Sequence, residues 1–226
     1  MSKYFVEKID SSEVKKFWLE SSSATAFTNP EIFSYFNYDF QWWGGKKGHE
    51  LICVWPICLN NKKIFLPDFF YYFGPIWYKN FSEIPNHSWL SLSKNIYEGF
   101  IEKFSKNYKV ILAQLPPGLN DVRIFDWWNF NIKGKKKFLI KPKYTALIKN
   151  LSNTSMHEIK MNFRYWRRNE LKKIKKDINS LVKTNNYSLD EILSLYQKTT
   201  GINPQKHSSS INSFLELVKN NFGKIV

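Results

Sequence analysis

Residues 39–65, DFQWWGGKKGHELICVWPICLNNKKIF, predict the centre of a β-sheet. Two strands, Asp39–Trp43 and Glu50–Leu59, flank a hairpin-type break that runs from Gly44-Gly45 to Gly48. The polar turn Asn60-Asn61-Lys62-Lys63 follows the second strand. Residues 64–77 then continue either as an aromatic strand pair or as a strand and a loop.

Helices and strands alternate on both sides of this segment. On the amino-terminal side, the strand Tyr4–Ile9 ends at Asp10-Ser11-Ser12, which can cap a helix, and Asn29-Pro30-Glu31 starts a second, short helix. On the carboxyl-terminal side, apolar residues at helical spacing predict a long helix over Ser88–Lys106, and Val110–Leu115 reads as a buried strand. The alternation predicts a mixed α/β fold, with a mixed sheet and flanking helices.

The rest of the chain continues the alternation. We predict helices over residues 121–130, 156–176, 189–199 and 211–221, and strands over residues 138–141, 144–151 and around 181–182.

Composition excludes several classes of protein. Of the 226 residues, 43% are hydrophobic and 18% aromatic, which is too rich for a disordered chain. Cys53 and Cys58 cannot form a disulfide framework, and without a second pair they make a poor zinc site, so no metal site is predicted. A spanning helix needs about 20 uninterrupted apolar residues, and the most apolar stretch, residues 64–78, contains two prolines and an aspartate. We expect a soluble, cytoplasmic protein, for which peripheral contact with a membrane stays open.

Positive charge is concentrated in one part of the chain. The net charge is +15, yet residues 1–130 contain 14 basic and 13 acidic side chains, and residues 131–226 contain 20 and 6. The aromatic residues are distributed the other way, with 31 of 40 in residues 1–130. A local excess of this kind favours a surface that faces an anion, although a solvated basic helix face would give the same pattern.

The helix predicted over residues 156–176 is the best candidate for that surface. At 100° per residue, Arg164, Arg168, Lys172 and Lys175 fall on one side. Arginine forks match phosphate oxygens, so a phosphate-bearing substrate or an RNA backbone is a suitable partner. The opposite, apolar stripe is expected to pack inward; its members are Met156, Ile159, Phe163, Trp166, Leu171 and Ile174. Glu170, within that stripe, is expected to pair with Arg167 or a neighbouring lysine.

The aromatic run of residues 69–77, FFYYFGPIW, is the second candidate. Side chains alternate faces along a strand, so five consecutive aromatic residues cannot all enter one core. Some of them could line a substrate cleft: Tyr71 and Tyr72, which have polar tips, and Trp77, with Gly74 allowing a backbone approach to the ligand. The alternative is an aromatic sheet packed on both faces.

Known catalytic motifs find no counterpart in this sequence. It contains no G-x-S-x-G, H-E-x-x-H, Walker or G-x-G-x-x-G pattern, and the four histidines lack metal-ligand spacing. No catalytic residue can be assigned from the sequence.

Five segments together resemble the FemAB-like branch of the GNAT acyltransferase superfamily. These segments are Thr28–Phe33, Val54–Ile57, Tyr72–Pro75, Phe163–Lys173 with its R-R-N-x-x-K pattern, and Leu195–Thr200. The resemblance implies a first GNAT-like domain over residues 1–145 and an incomplete second one over residues 146–226, since the family's pyrophosphate-binding loop has no counterpart.

The resemblance also implies an activity. Such transferases move an acyl or aminoacyl group from acyl-CoA, or alternatively from aminoacyl-tRNA, to the amine of an amino sugar or cell-envelope precursor. Arg164, Arg168 and Lys172 would then bind phosphates, and Tyr71, Tyr72, Gly74 and Trp77 would shape the acceptor site. The alternative is a truncated, non-catalytic module that binds RNA or a phosphate-bearing precursor through its basic helix.

Overall fold

The computed structural model describes residues 4–116, 121–143, 153–174, 188–220 and 222. The chain divides into two compact units, Met1–Pro142 and Lys143–Val226, which are described one at a time below.

The first unit is built on a six-stranded sheet whose order is β1-β2-β3-β4-β6, with β5 also paired to β3. Its strands are β1 (Tyr4–Ile9), β2 (Asp39–Lys47), β3 (Glu50–Asn60), β4 (Lys63–Phe65), β5 (Ile76–Trp77) and β6 (Val110–Ile111). Every pairing is antiparallel except that of β4 with β6, which is parallel. A mixed sheet with flanking helices was predicted and is confirmed.

The hairpin between β2 and β3 turns at Gly48-His49, later than predicted. Gly44 and Gly45 lie inside β2, and a register shift follows Gly45. A side chain on Gly45 would meet the side chain of Ile96 at 2.9 Å. The glycine therefore allows a helix to approach the sheet and does not form the turn.

The described residues of this unit form three α-helices: α1 (Ser11–Glu20), α2 (Asn86–Asn107) and α3 (Arg123–Trp127). The first two follow the predictions, whereas the predicted helix over residues 121–130 is shorter. The long helix α2 buries the apolar residues that recur every four positions, namely Leu92, Ile96, Phe100 and Phe104. At the centre of this core, the ring of Trp55 contacts Tyr97, Phe100 and Phe104 with edge-to-face geometry, at centroid distances of 5.3–6.0 Å.

The other face of the sheet is covered by a second aromatic layer. A 3₁₀ helix, Pro30–Tyr35, is capped by Asn29 as predicted, with the Asn29 side chain accepting from the Glu31 N–H. It places Phe33 in a stack on Trp42, with 4.8 Å between the ring centroids. Phe70 and Phe73 pack against the ring of Phe33, with centroid distances of 6.1 and 5.8 Å. The expectation of an aromatic sheet packed on both faces thus describes much of this unit.

The second unit contains only helices among its described residues. They are α4 (Met156–Met161), α5 (Tyr165–Ile174), α6 (Leu189–Thr200) and α7 (Ser208–Lys219). Helices α6 and α7 were predicted with bounds within three residues of these. Capping boxes formed by Ser155 with Glu158, and by Ser188 with Glu191, begin α4 and α6.

The single helix predicted over residues 156–176 is wrong, because the chain breaks between α4 and α5. Asn162 caps α4, with its N–H directed at the carbonyls of Glu158 and Lys160. The predicted inward stripe is wrong at Phe163 and Trp166, which are 36% and 50% exposed, whereas Ile159 is half-buried. Lys175 and Lys176 lie outside the described residues.

Of the strands predicted after the first unit's last helix, one falls within the described residues and is wrong. Residues 138–141 form no strand, since Phe138 alone packs inward while Leu139 and Ile140 are exposed. The strands predicted over residues 144–151 and around 181–182 lie outside the described residues.

Candidate functional site

The candidate site of the first unit lies where the parallel strands β4 and β6 end. Residue Lys63 is in register with Val110 and Ile64 with Ile111. Beyond the paired residues, the Leu112 N–H donates to the Ile64 carbonyl at 3.2 Å, and the Gln114 N–H donates to the Phe73 carbonyl at 3.3 Å. The predicted strand Val110–Leu115 is therefore regular only over its first two residues, and its continuation follows the β4–β5 edge.

Strands β4 and β5 pair with the same strand, β3, and are separated by a loop. Phe65 is opposite Cys58, and Ile76 is opposite Val54. Phe65 and Ile76 are eleven positions apart in the chain, whereas their partners on β3 are only four positions apart. Seven extra residues therefore leave the sheet between β4 and β5. We call residues 66–75 the excursion; its Phe69 and Tyr72 adopt positive φ values of 64° and 56°. The prediction of a strand and a loop is correct here.

The aromatic residues of the excursion divide into those that pack against the second face of the sheet and those that are exposed to solvent. Phe70 and Phe73 are 3% and 2% exposed and belong to the aromatic layer, whereas Tyr71 is 54% exposed. Phe27 lies next to both tyrosines, with its ring centroid 5.7 Å from that of Tyr71 and 6.5 Å from that of Tyr72. The excursion thus presents Tyr71 to solvent on a rigid aromatic base, and Tyr72 is partly exposed.

Gly74 serves the fold at the foot of the excursion. A Cβ atom at this position would lie 2.7 Å from the backbone oxygen of Gln114. The missing side chain therefore admits the neighbouring chain segment, where the sequence suggested the approach of a ligand.

Trp77 lies in the core and cannot line a cleft in this structure. Its side chain is 0% exposed, and its indole N–H donates to the hydroxyl of Tyr97 at 3.1 Å. Burial raises the pKa of Tyr97 well above its ordinary value, which keeps this hydroxyl neutral and able to accept the bond. Of the four residues predicted for the acceptor site, only Tyr71 and Tyr72 are open to solvent.

Three serines after α1 connect that helix to β5, a role that the sequence analysis missed. The Ser23 hydroxyl accepts the Trp77 N–H at 2.7 Å, and the Ser21 hydroxyl donates to the Trp77 carbonyl. The Ser22 hydroxyl donates to the Lys79 carbonyl at 2.9 Å. The run Ser21-Ser22-Ser23 was a visible signal, because consecutive hydroxyls beside a helix end commonly satisfy backbone groups.

The candidate site of the second unit is the basic surface of α5, which we define as Arg164, Arg168 and Lys172. The Arg168 N–H donates to the Arg164 carbonyl at 3.1 Å, so the helical path includes Arg164 and keeps the three residues on one face. Arg164 and Lys172 are exposed and make no ion pair or side-chain hydrogen bond with any described residue. Arg168 instead donates to the Met161 carbonyl at 3.0 Å and so helps to close the end of α4.

Exposed aromatic rings accompany these cations. Tyr165 is 72% and Trp166 50% exposed, and the Arg167 guanidinium lies 4.4 Å from the centroid of the Trp166 ring. Arg167 also forms the expected pair with Glu170, at 3.1 Å. The surface of α5 therefore offers guanidinium groups together with flat apolar rings.

Reactive groups of other kinds are buried or dispersed. Burial raises the pKa of the Cys58 thiol to about 12 and that of Cys53 well above its ordinary range, which disfavours the thiolate needed by a nucleophile. Within the described ranges, no three His, Cys, Asp or Glu residues are grouped as a metal site would require.

Comparisons with protein families, with curated proteins and with solved structures find no match to this chain. Among the described helices, none has both the length and the apolar composition to cross a membrane.

Proposed function

We propose that the protein is an N-acyltransferase, with a GNAT-like first unit and acyl-CoA as the donor. In the reaction, the neutral amine of an amino sugar or cell-envelope precursor attacks the thioester carbonyl. The C–N bond forms, the C–S bond breaks, and the proton lost by the amine leaves with the CoA thiol. Such a reaction needs mainly positioning of the two substrates and hydrogen-bond donors for the developing oxyanion.

The observation that supports this proposal is the pairing of β4 with β6. Strands β1 to β4 form an antiparallel run, and the long helix α2 then leads to β6, which pairs parallel to β4. The chain therefore leaves β4 and β6 at the same end of the sheet. In open α/β sheets, ligands bind outside the carboxyl ends of neighbouring parallel strands. Here that position is occupied by the excursion, whose exposed Tyr71 is the group best placed to contact an acceptor.

The charge of the second unit supports a phosphate-bearing donor. CoA carries several phosphate oxygens, and the exposed guanidinium of Arg164 together with the exposed Lys172 ammonium can bind them. Arg168 already donates one N–H to Met161, so fewer of its donors are available for a ligand.

A second candidate function is supported by the exposed rings of α5. Tyr165 and Trp166 beside Arg164 and Arg167 are the residue types on which single-stranded RNA stacks. In this alternative, the chain is a non-catalytic module that binds RNA, or it takes its acyl group from aminoacyl-tRNA.

Calorimetric titration with CoA, acetyl-CoA, a UDP-amino sugar and bulk tRNA tests both candidates. Under the acyltransferase proposal, CoA and its thioester bind more tightly than tRNA, and acetyl-CoA with an amine acceptor yields an amide detectable by mass spectrometry. Tight binding of tRNA with no CoA binding would instead support the RNA module.

The variant Arg164→Lys tests whether the basic surface of α5 is the part of the protein that binds CoA. It keeps the charge and loses the planar fork, so CoA binding should weaken by about 1–3 kcal/mol. Lys106→Gln, at an exposed position of α2 in the first unit, is the control and should leave the affinity unchanged. Equal CoA affinity for wild type and Arg164→Lys would remove α5 from the donor site.

A further inference from the structure

A group of exposed apolar side chains follows α3 in the first unit. Solvent reaches more than a third of each of five large residues within fourteen positions: Trp127 51%, Phe130 59%, Ile132 51%, Leu139 79% and Ile140 38%. Clustered exposure of this kind on a protein surface marks a site of interaction more often than scattered single residues do.

Hydrogen bonds hold this segment in a defined shape. The Phe130 N–H donates to the Trp127 carbonyl at 3.0 Å, and the Asn129 side-chain amide donates to the Lys136 carbonyl at 2.8 Å. The Lys137 ammonium donates to the Phe130 carbonyl at 2.8 Å. The segment thus closes on itself, and its two reversals occur at Asn129 and Gly134, with φ values of 57° and 79°.

Both ends of the segment are anchored in the core. Phe125 of α3 is buried, and the ring of Phe138 packs edge-on against it with 5.5 Å between the centroids. Trp127, Phe130 and Ile132 lie between these two anchors, and Leu139 and Ile140 directly follow the second.

The charges within residues 127–142 all have one sign, whereas Asp126 directly precedes this range. Residues 127–142 contain five lysines and no acidic residue, and all five lysines are exposed; they are Lys133, Lys135, Lys136, Lys137 and Lys141. The Lys137 ammonium lies 5.0 Å from the centroid of the Phe130 ring, so cations and apolar groups are interleaved at close range.

We propose that residues 127–141 bind the surface of an anionic lipid bilayer, with the apolar side chains inserted at the headgroup level and the lysines on lipid phosphates. Aromatic and aliphatic groups beside lysines combine the two attractions by which proteins bind such surfaces, apolar insertion and electrostatic attraction. RNA fits this surface less well, because Ile132, Leu139 and Ile140 provide no flat ring for a base to stack on. The site is separate in sequence from the basic surface of α5 and does not depend on the proposed acyl transfer.

Co-sedimentation with vesicles tests the proposal on the full chain. We expect binding to phosphatidylcholine vesicles that contain about 30 mol% phosphatidylglycerol, weak binding to pure phosphatidylcholine, and loss of binding as salt is raised to about 0.5 M. Equal binding to the two kinds of vesicle would overturn the proposal.

Two variants divide the site into its charged and apolar parts. Lys133→Gln/Lys135→Gln/Lys136→Gln should weaken binding about a hundredfold, and Phe130→Ser/Ile132→Ser should weaken it at least about tenfold. The charge control is Lys103→Gln/Lys106→Gln/Lys109→Gln, which removes three exposed lysines elsewhere in the first unit. The apolar control is Leu19→Ser, at a side chain that is 67% exposed. The proposal is overturned if the controls lose as much affinity as the variants.

Hydrogen–deuterium exchange on the wild type keeps the test independent of variant folding. Anionic vesicles should slow exchange in peptides covering residues 127–141, and unchanged exchange there would refute the proposal. Two other occupants are also distinguishable. A dimer that is seen by light scattering and lost in Phe130→Ser/Ile132→Ser would identify a second copy as the partner. If Lys133→Gln/Lys135→Gln/Lys136→Gln lost tRNA binding but kept vesicle binding, the partner would be RNA. Either result would overturn the bilayer proposal.

Discussion

The core of the first unit and the surface of α5 use their aromatic residues in opposite ways. In the first unit, Trp77 is fully enclosed and hydrogen-bonded to Tyr97, and Trp55 is surrounded by the rings of α2. In the second unit, Trp166 is half exposed and stacks with an arginine on the surface. Of the buried hydrophobic residues described, 26 belong to the first unit and four to the second: Leu193, Ile211, Leu215 and Leu217.

The contrast separates residues that stabilise from residues that are available for binding. Burial of large aromatic groups gives the first unit most of the apolar contribution seen among the described residues. The described helices of the second unit bury fewer apolar residues, and Arg164 and Lys172 face solvent. Substitutions in the core of the first unit should therefore affect mainly stability, and substitutions at exposed positions such as those of α5 should affect mainly affinity.

The pair Trp77→Ala and Trp166→Ala offers the largest test of this contrast. Trp77→Ala should lower the free energy of unfolding by about 4 kcal/mol, because it opens a cavity and leaves Tyr97 without its donor. Trp166→Ala should change it by less than about 0.5 kcal/mol. Urea unfolding followed by circular dichroism measures both, and similar losses in the two variants would abolish the distinction.

Gly74→Ala examines how tightly the excursion is closed at its base. The added methyl group would meet the Gln114 carbonyl oxygen at 2.7 Å, so we expect a loss of about 2 kcal/mol in the free energy of unfolding. Gly99→Ala is the matched substitution, since its nearest neighbour is a Val6 methyl group at 3.0 Å and its position is helical. A melting temperature for Gly74→Ala as high as that of Gly99→Ala would show that this backbone contact gives way easily.

The ion pairs of Lys46 give the first unit a dependence on alkaline pH. Its ammonium lies 2.8 Å from Glu7 and 3.4 Å from Glu13, and the hydrogen bond to Glu7 raises the pKa of Lys46. An ion pair that raises a lysine pKa stabilises the fold fully at pH values below the pKa of that lysine in the unfolded chain, about 10.5. This contribution disappears as the pH rises through the pKa of the lysine in the folded protein. Lys46→Gln should therefore be less stable than wild type by about 1 kcal/mol at pH 7, and the difference should vanish as the pH rises through the raised pKa of Lys46. Thermal melts across this pH range measure it, and a difference that persists at high pH would show that packing is responsible.

The smallest expected effect is the absence of a reaction. Cys53 and Cys58 are both fully buried and their thiol pKa values are raised, so neither should react with DTNB at pH 8 in the native protein. Both should react in denaturant. Native reactivity of either thiol would mean that the centre of β3 opens, and the first unit would then be less rigid than its packing implies.

Local patterns predicted most elements of the first unit because each has a signal within a few residues. Alternation and turn residues located β1, β2 and β3, and four-residue apolar spacing located α2. The glycines of β2 were misread because the reason for Gly45 is a contact with Ile96, fifty-one positions away along the chain. Trp77 was wrongly assigned to a cleft because its hydrogen-bond partner Tyr97 lies twenty positions further along the chain, in α2.

The second unit shows a different limit of sequence reasoning. No proline or glycine marks the break between α4 and α5, and Asn162 is only a weak signal for a helix end. The charged positions Arg164, Arg168 and Lys172 were placed on one face correctly, because their spacing of four is preserved on α5. That Arg168 also caps the end of α4 depends on the break and could not be read from spacing.

The excursion between β4 and β5 has a consequence for how this protein can change. Its two ends join strands that are both fixed by pairing with β3, so the register of the sheet does not depend on the length of the loop. Loop length costs little free energy, about 0.6 kcal/mol for each doubling. The exposed part of the excursion around Tyr71 can thus be lengthened, shortened or replaced, provided that Phe70 and Phe73 stay in the aromatic layer and Gly74 stays as the joint. The surface offered by Tyr71 can then diversify in natural or laboratory evolution while the fold stays the same.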